Sequence, residues 1–454
     1  MPTKPRIVTL TNSSVDILNA IRNYATTDYR NYVPVATSDP ESIREIGAVI
    51  MDMPALQNEF LSALVNRIGR VVLTSKTYEN PWAMFKQGFL EFGETVEEIF
   101  TNIAKPHTYD AKVAESEVFK REIPDVRSAF HIINYKHFYK ATIEQEQLRN
   151  AFLSWQGITD LVATIVDSLY TASNYDEFIT MKYMLAKHIL SGLVNPATVP
   201  TVSSENMRAI TSIIKGVSND MTFMKTKYNL AGVKQTSKKE NQYLLVDSRF
   251  DATMDVEVLA TSFHMDKAEF MGHVVLVDSF GDIDNERLAE LFDGDDTYVE
   301  LTPEQLSSLN SIPAVLVDEK WFMVFDALNQ FEEMRNGQGL YWNYYYHVWK
   351  TFSTSPFANN CVFVAGTPSV KSVTVSPASI SVKKGQSASF SATVATEFFA
   401  PKAVTWTTNN AKVSISKSGV VTVADDATTG SVTVTATSVY DGSVNGTATI
   451  TVTA

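Results

Sequence analysis

Apolar and polar residues follow two rhythms along this 454-residue chain, and the rhythm changes close to residue 366. Beyond that point the alternation has period two almost throughout. Val373/Val375, Ile380/Val382, Phe390/Ala392/Val394, Val404/Trp406, Val413/Ile415, Val421/Val423, Val432/Val434/Ala436 and Ala448/Ile450/Val452 each put apolar side chains on one side of a pleat. Turn residues separate these sets at Lys384-Gly385, Ser418-Gly419 and Asp441-Gly442. The pattern predicts an all-β sandwich over residues 367–454, with Trp406 as its large core side chain.

Before residue 366 the rhythm is mixed, which predicts an α+β unit. Phe178, Met181, Leu185 and Ile189 repeat at helical spacing and predict a helix over 173–190. Ser173 or Asn174 would cap it, Asp176 and Glu177 would suit its positive first turn, Lys187 and His188 its last, and Gly192 would stop it. A separate helix is expected over 158–169, with Leu161, Val162 and Ile165 on its apolar face. Another is expected from Thr142, whose Gln145 makes a capping-box spacing, to Trp155. Residues 314–318 and 321–325 read as two strands joined by a tight turn at Glu319-Lys320. The boundary between the units is expected at Gly366-Thr367-Pro368-Ser369, giving domains 1–366 and 367–454.

Composition sharpens that boundary. From Lys371 onward six Lys face only Glu397, Asp425, Asp426 and Asp441, so the tail carries +2 and the rest of the chain −15 of the net −13. Such an acidic balance argues against a nucleic-acid-binding footprint and suits solubility. Cys361 stands alone, which excludes a disulfide-stapled scaffold. Neither a signal peptide nor an apolar run long enough to span a bilayer is legible, so the chain is expected to be made and folded in the cytoplasm.

No catalytic constellation emerges. Gly337-Gln338-Gly339 lacks the third glycine of a phosphate loop. The seven His are scattered, without a zinc-ligand spacing. Asp282-Ile283-Asp284 starts like a calcium loop, but Arg287 occupies its glycine position and Asp293 the place of its bidentate Glu. Asp293-Gly294-Asp295-Asp296 reads as a solvated acidic loop. Ser381-x-x-Lys384 lies in an alternating strand without partner motifs. Glu97 and Glu98 are adjacent, so on a strand they face apart. No cofactor and no metal are expected.

Several longer blocks carry a family resemblance. Residues 17–23 (ILNAIRN), 32–37 (YVPVAT), 64–72 (LVNRIGRVV), 80–103 (NPWAMFKQGFLEFGETVEEIFTNI), 109–131 (YDAKVAESEVFKREIPDVRSAFH) and 316–364, with its aromatic run YWNYYYHVW at 341–349, keep their order. In these blocks the chain resembles major capsid proteins of small protein-primed podoviruses of the phi-twenty-nine type. The tail, through VTVSP (373–377), VKKGQSASF (382–390), VTWTT (404–408) and SGVVTV (418–423), resembles the bacterial group-2 immunoglobulin-like family. A domain of that kind also ends capsid chains of the same podovirus family.

The resemblance implies an α+β fold of the tailed-phage/herpesvirus capsid type, with an N-arm, an E-loop hairpin, a peripheral domain carrying a spine helix, and an axial domain. On this sequence the E-loop is expected over 71–103, turning at Gly93-Glu94, the spine helix over 173–190, and most of the axial domain between 196 and 311. Function would then be self-assembly into hexamers and pentamers of an icosahedral or prolate virion head, with a scaffolding protein and a portal as partners. Double-stranded DNA would be enclosed rather than specifically bound. Glu94, Glu97 and Glu98 are candidates for charge pairing across the hairpin, and Tyr344 and Trp349, with His347 beside them, have both a core and an inter-subunit reading. The immunoglobulin-like domain would sit outside the shell, as a stabilising decoration or a weak multivalent binder of host surface glycans. A bacterial surface adhesin, which needs an export signal, and a carbohydrate-active enzyme, which needs convergent carboxylates, are the rival readings.

Overall fold

Residues Gly157–Leu190 form one continuous helix of 34 residues, about 50 Å long at 1.5 Å per residue. It is seen in a computed structural model that describes residues 14–37, 39–60, 63, 78–90, 95–108, 121–144, 157–254 and 273–454. The two helices expected over 158–169 and 173–190 are therefore one. No Pro or Gly interrupts 158–190, and Ser173, expected as a cap, is buried in mid-helix. Asp176 and Glu177 accordingly lie in the middle of the helix rather than in a first turn. Its end is as expected: Gly192 takes φ +68° and donates to Ile189 O, while Leu193 N donates to His188 O, the paired bonds of a Schellman cap.

Among the helices that precede it are α1 (Ser14–Tyr24), α2 (Thr27–Tyr32) and α3 (Pro40–Asp52), and the long helix is here called α4. Two sheets flank α4. The first has the order β1-β9-β10-β4, from β1 (Lys86–Phe89), β4 (Tyr135–Glu144), β9 (Phe322–Asn336) and β10 (Tyr341–Thr354). The second has the order β5-β11-β8-β6-β7, from β5 (Pro196–Thr198), β6 (Gln242–Asp247), β7 (His273–Val277), β8 (Ala314–Asp318) and β11 (Asn360–Val364). Strands β8 and β9 realise the two predicted around residues 314–325. They do not pair with each other, because the turn at residues 319–320 sends them into different sheets.

The second sheet explains its own continuous apolar runs. Val315 and Val317 of β8, Val362 and Val364 of β11 and Leu245 of β6 pack into the core that contains α4. Their neighbours Ala314, Leu316, Cys361, Phe363, Leu244 and Val246 pack on the opposite side with helix α5 (Met207–Asp220), through Met207, Ile210 and Ile214. A strand covered on both faces has no polar alternation to show. A third cluster joins α1–α3 to Ile143, Trp342 and Tyr344 of the first sheet.

Two expectations need correction. Thr142 belongs to β4 and not to a helix start, with its Oγ1 donating to Asn343 Oδ1 at 2.7 Å across the strand pair; residues 145–156 lie outside the described residues. The hairpin expected over 71–103 is also displaced. β1 pairs in parallel with β9, whereas β2 (Thr95–Thr101) pairs antiparallel with β3 (Val126–Ile132). Trp82 and Phe85 hold the earlier part of that stretch inside the subunit, fully buried against Phe178, Tyr243 and Phe322. The turn expected at Gly93-Glu94, like residues 71–77, lies outside the described residues.

Residues 369–454 form an all-β unit with its own core. A four-stranded sheet orders β13 (Ser379–Lys383), β20 (Asn445–Thr453), β19 (Gly430–Ser438) and β16 (Val404–Thr408). Around it lie the pair β12 (Ser369–Ser376) and β15 (Ser391–Glu397), and the set β14 (Ser387–Ser389), β18 (Val420–Val423) and β17 (Val413–Ile415). All eight alternating sets identified in the sequence contribute to this core. Trp406 packs only at its margin, half-buried, while Phe390 is the large side chain inside. Replacing the fully buried Ile450 with Ala should destabilise this unit by about 2–5 kcal/mol, measured by urea unfolding, because the surrounding strands cannot collapse onto the cavity.

Candidate functional site

The most concentrated chemistry lies inside the subunit, where α4 meets the first sheet. Glu177, 2% exposed, is ion-paired with Lys350 of β10 and with Lys86 of β1 at 3.1 Å, and it accepts a hydrogen bond from Asn80 at 2.6 Å. Asp326 of β9 joins the cluster, 2.5 Å from Lys86 and 3.3 Å from Lys350. The bulge at Ala327, where the β9–β10 register skips between Trp349 and Lys350, sets Lys350 opposite Asp326. At the adjacent helix position, the fully buried Asp176 receives two hydrogen bonds from Arg287, at 2.8 and 2.9 Å, and one from Tyr139 at 2.9 Å.

Burial alone would raise the Glu177 carboxyl, but the charges of Lys350 and Lys86 outweigh it and hold it below the ordinary range. Lys86 follows the same logic in reverse: burial lowers it, and Glu177 with Asp326 more than restores it. Hydrogen bonding to Asp176 raises Arg287, and desolvation raises Tyr139. Each carboxylate is matched by cations, and Asp176 and Glu177 are sealed from solvent, so the cluster fastens the helix to the sheet instead of awaiting a substrate. Among the described residues, no group of three or more His, Cys, Asp or Glu is placed to hold a metal. Asp284, first of the acids weighed for calcium to be placed by a contact, caps the helix α7 (Asn285–Leu291), accepting from Arg287 N at 3.0 Å; helix α6 (Ser248–Met254) precedes it.

Two exposed surfaces stand out among the described residues. The inner face of the β2–β3 hairpin is seated on its own subunit: Phe100 stacks on Phe357 at 5.5 Å, Ser355 donates to Glu98 at 2.7 Å, and His131 Nδ1 lies 2.8 Å from Ser353 Oγ. The outer face, with Ile99, Val126, Phe130 and Ile132, is exposed, Phe130 by 63%. The second surface is the free face of β4 and β10. There Phe138 lies 5.8 Å from Tyr345 and 5.6 Å from His347, and Lys136 sits over Trp349 at 4.8 Å. Lys140 similarly lies 5.7 Å from the Tyr345 ring.

The five residues singled out from sequence separate cleanly. Glu97 is exposed on the outer hairpin face opposite Phe130. Glu98 turns inward to Ser355 and to His131 at 3.4 Å, so its carboxylate is already engaged within the subunit. Glu94 lies outside the described residues. Tyr344 is interior, packed with Trp342 under α1–α3, and is no surface contact. Trp349 is 37% exposed on the free sheet face. Sequence reasoning missed Phe138, Lys136 and Lys140. The alternation Lys136-x-Phe138-x-Lys140 carries the signal, but the helix assigned from Thr142 drew attention away from β4.

Residues 18–364 match the family described as the Phi29-like phage major capsid protein. The chain belongs to this family. The major capsid protein of Bacillus phage B103 is 39% identical over 91% of this chain and 88% of its own length. That of Bacillus phage PZA is 36% identical over 84% of this chain and 80% of its own. A coverage of 91% exceeds what residues 1–366 alone could supply, so similarity to the B103 protein continues into the C-terminal β unit. In the capsid structure of Staphylococcus phage Andhra, a chain 15% identical covers 65% of this one and 86% of itself with a TM-score of 0.51, which shows the phage-capsid fold. As a Phi29-like major capsid protein, the subunit is a structural component of the virion and self-assembles into capsids; it is not an enzyme. The adhesin reading falls with that assignment.

In such a subunit the buried cluster is a stability device with a pH signature. Lys350→Met should cost about 3–5 kcal/mol in urea unfolding, because it strips one cation from a buried carboxylate. The depressed Glu177 carboxyl adds stability that is complete above the usual Glu value of about 4.3 and is lost as pH falls through its lower folded value. Unfolding midpoints taken between about pH 3 and 7 should therefore drop more steeply on the acid side for the natural chain than for Glu177→Gln.

Proposed function

We propose that the subunit builds an icosahedral or prolate head by forming hexamers and pentamers, in which the β2–β3 hairpin serves as the E-loop laid over a neighbouring copy. The observation that carries this reading is the two-sidedness of the hairpin. Its root is anchored through Glu98, Phe100 and His131, while Ile99, Val126, Phe130 and Ile132 present an apolar face to solvent. An exposed apolar face of this kind on a shell-forming chain is a contact surface awaiting a partner. The neighbour's Trp349, Phe138 and Lys136 offer a matching apolar and cationic surface, and Glu97 supplies the opposite charge at its rim.

In the capsid description, α4 is the spine helix and the β1-β9-β10-β4 sheet belongs to the peripheral domain. The β5-β11-β8-β6-β7 sheet belongs to the axial domain. Residues 367–454 are an immunoglobulin-like sandwich on the outside of the shell; the alternating core and the VTVSP and SGVVTV segments favour this assignment. Its primary role is stabilising, with weak multivalent glycan binding as the second reading. A scaffolding protein and a portal act during assembly. DNA is enclosed without a specific grip, in keeping with the net charge of −13.

The test is electron microscopy of the chain expressed with its neighbouring phage genes. Ile99→Asp/Phe130→Asp places two carboxylates where burial of each apolar side chain would contribute about 1.5–3 kcal/mol per contact. These subunits should remain folded by circular dichroism yet form no closed shells. Normal particle yield would refute the hairpin's role. Glu97→Gln should change assembly little, since a rim pair contributes about 0–1 kcal/mol. Deleting 367–454 should leave shells able to form.

A further inference from the structure

The loop joining β15 to β16 carries the most strained backbone among the described residues of the C-terminal unit. Phe398 and Phe399 are consecutive non-glycine residues with φ of +50° and +59°. Aromatic side chains resist that conformation, and it persists only where surrounding contacts over-determine it. Those contacts come from outside the unit. Phe399 packs against the core that contains α4, while the next residue, Ala400, is fully buried in the core of the β unit itself. The Phe398 ring covers Gly366, so closely that a Cβ on Gly366 would collide with it.

The other half of the contact is the C-terminal end of α4. Lys402 Nζ donates to Leu190 O, the carbonyl of the last helical residue, at 2.8 Å. A cation there both satisfies an end carbonyl and suits the negative end of the helix dipole. Gly192, the capping residue, lies directly beneath the loop: a Cβ on it would stand 2.8 Å from Ala400 O and 3.1 Å from Lys402 N. Two glycines with different local duties, one a helix stop and one in the connection between the units, are thus both closed over by the same few residues.

We propose that residues 398–402 are a docking plug that seats the C-terminal unit on the end of α4, so that the unit is carried in one fixed orientation and not on a free tether. Phe399 enters the shell core, Lys402 binds the helix end, and Phe398 shields the connecting glycine. The connection at residues 366–368 is then a covered joint. This goes beyond the assembly reading, since it concerns how one chain holds its own two units and stands whether or not the hairpin contacts a neighbour.

Hydrogen exchange of the full-length chain, followed by mass spectrometry, tests it. Phe398→Gly/Phe399→Gly eases the left-handed backbone while removing both rings, so the loop keeps its path but loses its grip. Exchange at the cap amides Ser191, Gly192 and Leu193 should rise by at least about tenfold, while amides of β19 stay as slow as in the natural chain. Lys402→Met, which leaves both rings in place, should accelerate the same cap amides by a smaller factor. Unchanged exchange at residues 191–193 in the double glycine variant would overturn the proposal. So would cap amides that already exchange in the natural chain as fast as in that variant, because the unit would then be undocked from the start.

Discussion

A carboxylate in the middle of a helix, with no water to solvate it, forces its surroundings to come to it. Glu177 holds Lys86 of β1 and Lys350 of β10, and Asp326 of β9 closes the set. Three of the four strands of the first sheet are thus tied to one another or to α4 through buried charge. Asp176 then ties helix α7 to α4 by way of Arg287. Apolar packing supplies the bulk of the stability. It is indifferent to small sliding, however, and the ion pairs are not, so the placement of helix on sheet depends on them.

That arrangement also explains what could and could not be read beforehand. The C-terminal unit was legible almost strand by strand, because each strand has one covered and one wet face and the alternation records it. The second sheet was only partly legible, because β8 and β11 are covered on both sides and their sequences carry no period. Asp176 and Glu177 were assigned to a helix start because acidic residues suit its positive end, and mid-helix charges normally face solvent. Only their distant partners Arg287, Lys86 and Lys350 reveal that here they do not. Local sequence holds no trace of a partner some ninety or more residues away.

The candidate contacts divided for a similar reason. The opposite directions of Glu97 and Glu98 follow from strand geometry, and their adjacency was enough to anticipate it. Which of the two faces inward depends on Ser355 and His131, which lie far along the chain. Tyr344 and Trp349 share one aromatic run but fall at different parities of β10. One entered the core beneath α1–α3, and the other stayed at the surface. Family resemblance identified the shell-forming class from whole blocks of sequence, while the parity of single residues required the strand register.

The turn between β8 and β9 has a mechanical consequence. It links the two sheets through residues 319–321, and the return path from β10 to β11 crosses the same gap through residues 355–359. Ser355 N bonds to Trp321 O at 2.9 Å, so the two crossings are clasped together. A pull on the far tip of the β9–β10 ribbon is therefore transmitted through covalent backbone into the middle strands of the second sheet. Within a capsid wall, such a paired tendon shares tensile load without asking any side-chain contact to bear it alone.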